Sequence, residues 1–507
     1  LQIQSAVIQM GIFDSSACYI SQLNQKLSKE ISQPTMCFYF PSHFDKTKER
    51  TPLQMFLIVA SIQYSEDKFL DDMQRDAFKF FWEETNPATG QVKDRAVSDG
   101  VNDGHTVASI AATGYGLVAL AVAAERGYVS HKDAENRVLT TLSFIKNNMT
   151  NVHGFYYHFV DMNTGERAWL SELSSIDTAI MICGVLTAKQ YFASNKQIVE
   201  LATHLYSNVD WPWMQNGQES LSMGWKPESG FIEARWNTYC ELMMIYLLGV
   251  GSPAHPLSPQ TWNAFTRPKI TFQNFTYVDA NAPLFTHQFS HAFFDFKGKK
   301  DNYSIDYFEN SVVATQAHKA FCISIKDEFP SYSEKIWGIT ASDYAGGYIA
   351  WGGPPRQGPL DGTVVPCACG GSIPFAPECI KVLQNIKEQF PQSYSKYSFR
   401  DAFNPLTGWY GKDSLGIDLG ITFIQAENYR TGFVWKWFGK NPEVAKAMKL
   451  VGFSGLESGM QWWAWLLIVL AVLVVVAAAG FGVWKFMQKK KGQQKGDETE
   501  KMVDTGL

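Results

Sequence analysis

Apolar residues recur at helical spacing along most of the chain between residues 69 and 451. Strand patterns are shorter, as in Gly154–Val160. Long helices, apolar around much of their circumference and joined by loops rich in aromatic residues, glycine and proline, predict an all-α fold in which helix pairs close into an (α/α)6 barrel. No period of about 20 to 50 residues is visible, which argues against a solenoid. The predicted helices span residues 69–84, 106–126, 132–146, 174–192, 196–206, 237–248, 305–325, 377–389, 417–438 and 442–451.

A different apolar pattern lies near the end of the chain. Residues 462–484 are 23 consecutive residues without a charge, enough at about 1.5 Å per residue to cross a hydrocarbon layer of roughly 30 Å. Tryptophans lie at both ends of this segment, and four lysines follow it between residues 485 and 491. The positive-inside rule then places the tail 485–507 in the cytoplasm. We predict a single-pass type I membrane protein whose main domain is extracellular or lumenal.

This orientation requires a secretory signal near the start of the main domain. Three basic residues between positions 46 and 50 precede the apolar run Leu53–Ile62, and Met55 lies within it. We therefore predict a signal peptide at about residues 53–64. The expected organisation is a doubtful leader at 1–64, one domain at 65–457, a transmembrane helix at 462–484 and a cytoplasmic tail at 485–507.

Composition narrows the function classes. The chain is 46% hydrophobic and 18% charged, which excludes disorder and coiled-coil fibres. Its net charge is −5, the wrong sign for a nucleic-acid-binding protein. Aromatic residues make up 14%, which suits a cleft that stacks flat ligands such as sugar rings, although a large core also uses them.

The cysteine pattern does not indicate a disulfide scaffold or a zinc site. Cys183, Cys240 and Cys322 lie in or beside apolar helical runs and are interpreted as core thiols. The pair Cys367 and Cys369, together with Cys379 further along, lies in a loop rich in glycine and proline, where a disulfide is possible in an oxidising compartment. Their spacing lacks the paired CxxC motifs of zinc sites.

Two acids stand at the start of the predicted helix 174–192. Ser174 and Asp177 have the spacing of a capping box, so Asp177 has two open interpretations, a helix cap and a catalytic acid. Glu172 precedes the cap, where the helix dipole acts on a nearby carboxylate. Glu172 is therefore the first candidate for chemistry.

Glu241 is the second candidate because it is embedded in an apolar helical segment. Asn237 and Thr238 lie one turn before it, whereas Met244 and Ile245 lie one turn after it. If desolvation outweighs hydrogen bonding, its pKa rises, as a general acid for glycosidic cleavage requires. The alternative is a buried structural acid held by an arginine or by the two polar neighbours.

Several loops mix acids, histidines, amides and aromatic rings, a combination suited to binding sugar hydroxyls. These loops contain His287 and Gln288, Asp343 and Tyr348, and Asp361. His287 and His291 are four residues apart but lack the glutamate of a zinc-binding HExxH motif. No GxSxG, Walker or post-strand GxGxxG motif is present. We therefore expect no metal and no cofactor.

Ordered blocks spread over residues 69–445 are similar to the glycoamylase-like domain of bacterial endo-β-1,2-glucanases and of the related region of cyclic β-1,2-glucan synthases. This resemblance implies an (α/α)6 barrel that hydrolyses or transfers glucan. It implies that Glu172, Glu241 and, with them, Asp177 are catalytic. The blocks that carry it include FFWEETNP, ATGYGLVALAVAAERGY, GFYYHF, SELSSIDTA, GSPAHP, FTHQFSHAFFDF, GSIPFAPE, DAFNPLTGWY and AENYRTGFVWKWF. Further residues fall in blocks expected to line the cleft: Asp94, Arg95, Asp343, Trp409, Glu427 and Arg430.

Some features qualify this resemblance. Glu427 and Arg430 have the spacing of a helical ion pair, which favours a structural role for Glu427. The membrane segment and the cysteines Cys367 and Cys369 depart from the family pattern.

Three functions compete: a membrane-anchored hydrolase of β-1,2-glucan, a non-catalytic carbohydrate-binding receptor, and an exo-acting α-glucan hydrolase. The intact acids favour the hydrolase.

Overall fold

The computed structural model describes residues 52–279 and 283–456. From Tyr64 onward the described residues belong to one compact unit. The predicted transmembrane helix 462–484 and tail 485–507 lie outside the described residues, as does the leader up to residue 51. Within the described ranges, no helix is both long and apolar enough to cross a bilayer. The apolar run predicted as a signal peptide lies in the first part of a long helix, Pro52–Glu83.

The fold is helix-rich, as the hydrophobic periodicity predicts. Each predicted helix has an observed counterpart, although several boundaries differ. Short helices within loops were not predicted. The α-helices of the described part are α1 Pro52–Glu83, α2 Ile110–Arg126, α3 His131–Asn147, α4 Ser175–Tyr191, α5 Lys196–Ser207, α6 Trp211–Gln215, α7 Met243–Gly251, α8 Phe289–Phe293, α9 Tyr307–Ser324, α10 Pro366–Gly370, α11 Cys379–Gln389, α12 Gly416–Thr431, α13 Phe433–Phe438 and α14 Pro442–Leu450.

Short antiparallel strands occupy the loops, so the described part is not purely α-helical. They form two-stranded ladders and one three-stranded sheet, β6–β7–β8. The strands are β1 Arg95–Val97, β2 Val107–Ser109, β3 Asn151–Val152, β4 Phe155–Tyr156, β5 Phe159–Asp161, β6 Leu173–Ser174, β7 Gly224–Lys226, β8 Gly230–Phe231, β9 Lys269–Phe272, β10 Phe275–Val278, β11 Ser342–Tyr344, β12 Gly347–Ile349, β13 Tyr394–Ser395, β14 Ser398–Phe399, β15 Phe403–Asn404, β16 Trp409–Tyr410 and β17 Asp413–Leu415.

Three buried helices, α2, α4 and α12, pack closely at the centre of the described unit. Glycines permit this approach. A Cβ atom on Gly184 of α4 would lie 2.1 Å from the carbonyl oxygen of Gly114 on α2, and one on Gly420 of α12 would lie 2.4 Å from the ring of Tyr115. Larger residues at these positions would separate the helices.

The same three helices begin directly after short strands, β2, β6 and β17. Ladders link these strand ends: β17 pairs with β1, Lys93 beside β1 bridges to Ala108 of β2, and Tyr157 bridges to Leu173 of β6. At the other end, Arg126 in the last turn of α2 contacts Glu427 in the last turns of α12. The helices α2, α4 and α12 therefore present their N-termini to a common end of the fold.

Candidate active site

Glu172 lies at this common end, immediately before α4, and is bound to a histidine. The Nδ1 atom of His158 is 3.1 Å from Oε1 of Glu172. The other ring nitrogen, Nε2, is 3.5 Å from Oδ1 of Asp177. Backbone pairing fixes this arrangement, because the amide of His158 donates to the carbonyl of Glu172 at 2.9 Å. One imidazole thus connects two of the predicted catalytic acids.

The charges in this group stabilise one another. Burial disfavours protonation of His158, but Asp177 and Glu172 outweigh it and raise the pKa of the imidazole to about 9. The hydrogen bond from His158 lowers the pKa of Glu172 to about 2, against the opposing effect of burial. An imidazolium between two carboxylates is the expected state near neutral pH. Glu172 is therefore ionised there.

Asp177 also takes part in the cap that the sequence predicts. The hydroxyl of Ser174 accepts from the backbone amide of Asp177 at 3.2 Å and donates to its carboxylate. Asp177 is buried, with 5% of its surface exposed. Asp177 therefore has both the geometry of a helix cap and a position close to His158. Its position alone does not decide whether it is a cap residue or a catalytic acid.

Glu241 lies just before α7 rather than inside a helix. The periodicity predicted a helix from residue 237, but the chain at 237–242 forms turns and a bridge, and α7 begins at Met243. The hydroxyl of Ser290 fixes the helix start, since it donates to the carbonyl of Glu241 at 2.6 Å and accepts from the amide of Met244 at 3.1 Å. The backbone of Glu241 is therefore fixed at the N-terminus of α7.

The side chain of Glu241 is buried, and burial raises its pKa to about 7. A backbone hydrogen bond and, after it, a hydrogen bond with the thiol of Cys240 lower this pKa, whereas Asp177 raises it further. Asn237 and Thr238 are not the groups that hold it, because their predicted helical turn does not form. Glu241 therefore has the protonation behaviour of a general acid.

A second acidic cluster lies between the strand ends and α12. The guanidinium of Arg95 donates to Asp94 at 2.9 Å and to both oxygens of Asp343 at 3.1 and 3.2 Å. Asp401, which the sequence analysis did not single out, accepts from the backbone amide of Asp343 at 2.6 Å. Burial and Asp418 raise the pKa of Asp401. Asp401 and Asp418 therefore share a buried environment in which the two carboxyl groups do not readily ionise at the same time.

Acids of both clusters lie near enough to Tyr115 of α2 to influence its hydroxyl. Burial, with further contributions from Asp177, Asp418 and Glu241, raises the pKa of the Tyr115 hydroxyl. That hydroxyl is buried without a hydrogen-bond partner in the described part of the structure. The acids of both clusters therefore converge on one region at the N-terminal ends of α2, α4 and α12.

Comparison with known proteins identifies this architecture. Residues 233–442 match the family model described as glycoamylase. This segment of the chain is similar to the glycoamylase family. The recognition made from the sequence blocks is thereby confirmed.

Relatives of the glycoamylase-like domain include proteins named as β-1,2-glucan hydrolases. An exo β-1,2-glucooligosaccharide sophorohydrolase (non-reducing end) of Parabacteroides distasonis is 27% identical over 430 residues, which cover 76% of this chain. The chain spans 58% of the length of that curated relative. These names denote glycoside hydrolases, the enzyme class that the sequence predicted.

Solved structures match the fold as well. The endo-β-1,2-glucanase from Chitinophaga pinensis, in complex with sophorotriose and glucose, superposes with a TM-score of 0.71 at 27% identity, covering 77% of this chain and 99% of that chain. A β-1,2-glucanase from Parabacteroides distasonis gives a TM-score of 0.71 at 26% identity, over 76% of this chain and 60% of that chain. The helix-rich fold is therefore shared with these enzymes.

The other predicted binding residues occupy several environments. His287 is buried between Asp279 and Tyr239, at 3.1 and 3.2 Å. Gln288 is also buried and donates to the carbonyl of Ala368 at 2.9 Å. Both side chains therefore lie in the core, and their assignment as sugar-binding residues stays a prediction. Tyr348, by contrast, is 54% exposed and pairs in its hairpin with Asp343 of the second cluster.

Two further predicted residues lie in neighbouring turns. Asp361 accepts from the amide of Thr363 at 2.9 Å, a turn-stabilising contact. Trp409 is partly buried on β16 and packs against the small cluster of Val365, Cys367 and Ala402. Cys367 also lies beside Asp418, which connects Trp409 indirectly with the second acidic cluster.

Glu427 and Arg430 lie away from this cluster. They are nine and twelve residues after Asp418 on α12, and nine residues correspond to about 13 Å along a helix. Glu427 is buried and bound by both Nε and Nη2 of Arg126, at 2.6 and 3.0 Å. Arg430 instead binds Asp67 at 2.8 Å. The predicted ion pair between Glu427 and Arg430 is therefore wrong, because each residue pairs instead with a side chain of another helix.

The cysteines are buried free thiols in the described part of the chain: Cys183, Cys240, Cys322, Cys367, Cys369 and Cys379. Among the described residues, no group of three or more His, Cys, Asp or Glu side chains has the arrangement of a metal site.

Proposed function

We propose that this protein is a glycoside hydrolase that cleaves glucan, most specifically β-1,2-glucan, by carboxylate acid–base catalysis. The observation that carries the proposal is the difference between two acids at the same end of the fold. Burial raises the pKa of Glu241 to about 7, whereas His158 lowers that of Glu172 to about 2. Hydrolysis of a glycosidic bond requires one protonated and one ionised carboxyl group.

The roles follow from these protonation states. Glu241 donates a proton to the leaving glycosidic oxygen, since burial keeps it protonated to a higher pH than Glu172. Glu172 is ionised and acts either as a general base, taking a proton from the water that attacks the anomeric carbon, or as a nucleophile that attacks this carbon itself. His158 orients Glu172 and keeps it ionised, and Asp177 supports the charge on His158. The β-1,2-glucan hydrolases among the relatives support the choice of substrate.

The fold supports a cleft at this position. We infer that α2, α4, α7, α8, α10 and α12 form the inner helices of an (α/α)6 barrel, with α1, α3, α5, α9 and α11 among the outer ones. Packing of α2 against α4 and α12, and of α4 against α7, supports this arrangement. The inner helices then direct their N-termini, and the acids that precede or begin them, towards the barrel mouth.

Attachment to a membrane through residues 462–484 stays part of the proposal. Its support is the uncharged segment of 23 residues followed by lysines. In that arrangement the hydrolase acts on extracellular or lumenal glucan.

The test is an assay of the purified chain against β-1,2-glucan, starch, laminarin and cellulose, with release of reducing ends as the readout. We expect release from β-1,2-glucan and its loss in Glu241→Gln. Hydrolysis of starch alone would overturn the substrate and favour the α-glucan alternative. Binding of β-1,2-glucan without any release of reducing ends would overturn the enzyme and favour the receptor alternative.

A further inference from the structure

The turn that precedes Glu172 exposes two large apolar side chains. Trp169 and Leu170 have 57% and 73% of their surface exposed. Both also have a left-handed backbone, with φ of 52° and 51°. Residues other than glycine rarely adopt this conformation, and two in succession are costly. Strain of this kind is often retained where a side chain has a binding function.

The turn is held in this conformation by Arg167. Its guanidinium donates to the carbonyl of Ser171 at 2.5 Å and to that of Leu170 at 2.8 Å. It also forms a two-pronged ion pair with Glu228, in the turn between β7 and β8. The same group lies 5.0 Å above the ring of Tyr157. These contacts of Arg167 therefore fix the turn that carries the exposed side chains of Trp169 and Leu170.

Ring contacts connect Trp169 with the candidate catalytic group. The indole lies 4.9 Å from the ring of Phe159, which stacks at 3.8 Å on His158. His158 in turn binds Glu172. The ring of His105 also lies near the indole, at 5.7 Å. The exposed tryptophan is thus separated from the proposed base by two stacked rings.

We propose that Trp169, extended by Leu170, is a sugar-binding platform on which one glucosyl unit of the substrate stacks while the bond near Glu172 is cleaved. This inference rests on the proposed function and specifies a binding position of the same site. The apolar faces of pyranose rings pack on exposed indoles, and a few polar groups then fix their orientation. Trp169 does not touch the reacting atoms, so it is a binding residue and not a catalytic one.

The decisive variant is Trp169→Gly, because glycine adopts a left-handed backbone without strain. A structural tryptophan would lose stability on this change. A binding tryptophan in a strained turn would not. We expect an unchanged or higher melting temperature, a KM for β-1,2-glucan raised about tenfold and a kcat within about twofold of the original. Trp169→Phe should recover part of the affinity.

The matched control is Tyr64→Ala, which removes another exposed aromatic ring. Tyr64 lies on α1 one turn before Asp67, whose partner is Arg430 near the end of α12 far from Asp418. This variant should keep the KM of the original chain. An unchanged KM in Trp169→Gly, or an equal rise in Tyr64→Ala, would overturn the platform.

Binding measurements separate this inference from the proposed function. Affinity electrophoresis in gels containing β-1,2-glucan reports binding whether or not the chain hydrolyses the polymer. Retardation of the original chain that is lost in Trp169→Gly supports the platform, even if no reducing ends form. Equal retardation of the original chain and of Trp169→Gly overturns the platform but does not contradict the proposed hydrolase activity. Absence of both retardation and hydrolysis overturns the two together.

Discussion

Replacement of Cys240 by alanine should move the alkaline limit of activity to higher pH. The thiol of Cys240 hydrogen-bonds to Glu241 and lowers the pKa of that acid, while burial raises it to about 7. A neutral hydrogen bond contributes about 0.5 to 1.5 kcal/mol, and one pKa unit corresponds to about 1.4 kcal/mol. Loss of the bond should therefore raise the pKa of Glu241 by about 0.4 to 1 unit.

The consequence for the rate follows from the protonated fraction of Glu241. With a pKa of about 7, about one molecule in eleven holds the required proton at pH 8, and about one in a hundred at pH 9. In Cys240→Ala the same decline should occur at a pH higher by about 0.4 to 1 unit. At pH 8 the rate of Cys240→Ala should therefore exceed that of the original chain severalfold, which is easily measured.

The assay is kcat/KM for β-1,2-glucan from pH 4 to 9, with release of reducing ends. Cys183→Ala is the matched control, because Cys183 is likewise a buried thiol but has no bond to Glu241 among the described contacts. The reasoning is refuted if the alkaline limit of Cys240→Ala stays in place or moves to lower pH. An equal upward shift in Cys183→Ala would also refute it.

Three further changes test other parts of the site and chain. Glu172→Gln should lower kcat by at least about a hundredfold, because the ionised group is lost, and should change the melting temperature little; near-normal turnover would make Glu172 structural. Asp177→Asn should abolish most activity but reduce the free energy of unfolding by at most about 1 kcal/mol, since the amide oxygen of asparagine still accepts from the Ser174 hydroxyl. Normal turnover with a lowered melting temperature would instead show that Asp177 serves only as part of the helix cap. Deletion of residues 462–484 should release the domain from expressing cells into the medium, as fractionation would show, whereas retention on membranes would contradict the predicted anchor.

Hydrophobic periodicity predicted the long helices well because tertiary packing and local preference agree there. It predicted one helix over 417–438, but the chain turns at Gly432, whose φ is 66°, and forms α12 and α13. It also extended α7 back to residue 237, where an apolar run continues through turns. Periodicity detects burial, and buried turns have the same apolar composition as buried helices.

Parts of the candidate site were not visible in the sequence. His158 lies 14 residues before Glu172 and meets it only because the two backbone segments pair as a hairpin. Asp401 reaches Asp343 across 58 residues of chain. The block GFYYHF contained the signal for His158, since it formed part of the family resemblance. No local spacing rule pairs these residues, because their proximity arises from loop ladders between different helices.

The protonation states also decide where the folded protein is most stable. Glu172 has a folded pKa of about 2, below its ordinary 4.5, so its contribution is present above pH 4.5 and lost as the pH falls towards 2. His158 has a raised pKa of about 9, so its contribution is full below 6.5 and lost as the pH rises through 9. Glu241 has a raised pKa of about 7, so its cost to stability begins near its ordinary 4.5, grows as the pH rises and is complete above 7.

These three groups together favour the folded state most strongly near pH 4.5, and between about pH 4.5 and 6.5 only the growing cost of Glu241 reduces their contribution. In that interval Glu172 is ionised and Glu241 is protonated, the combination that glycosidic cleavage requires. The contacts that separate the pKa values of the two acids are thus the contacts that set the pH range of stability. Replacement of His158 should therefore impair activity and stability together, because this one imidazole stabilises both the charge of the proposed base, Glu172, and the packing of the loop that carries it.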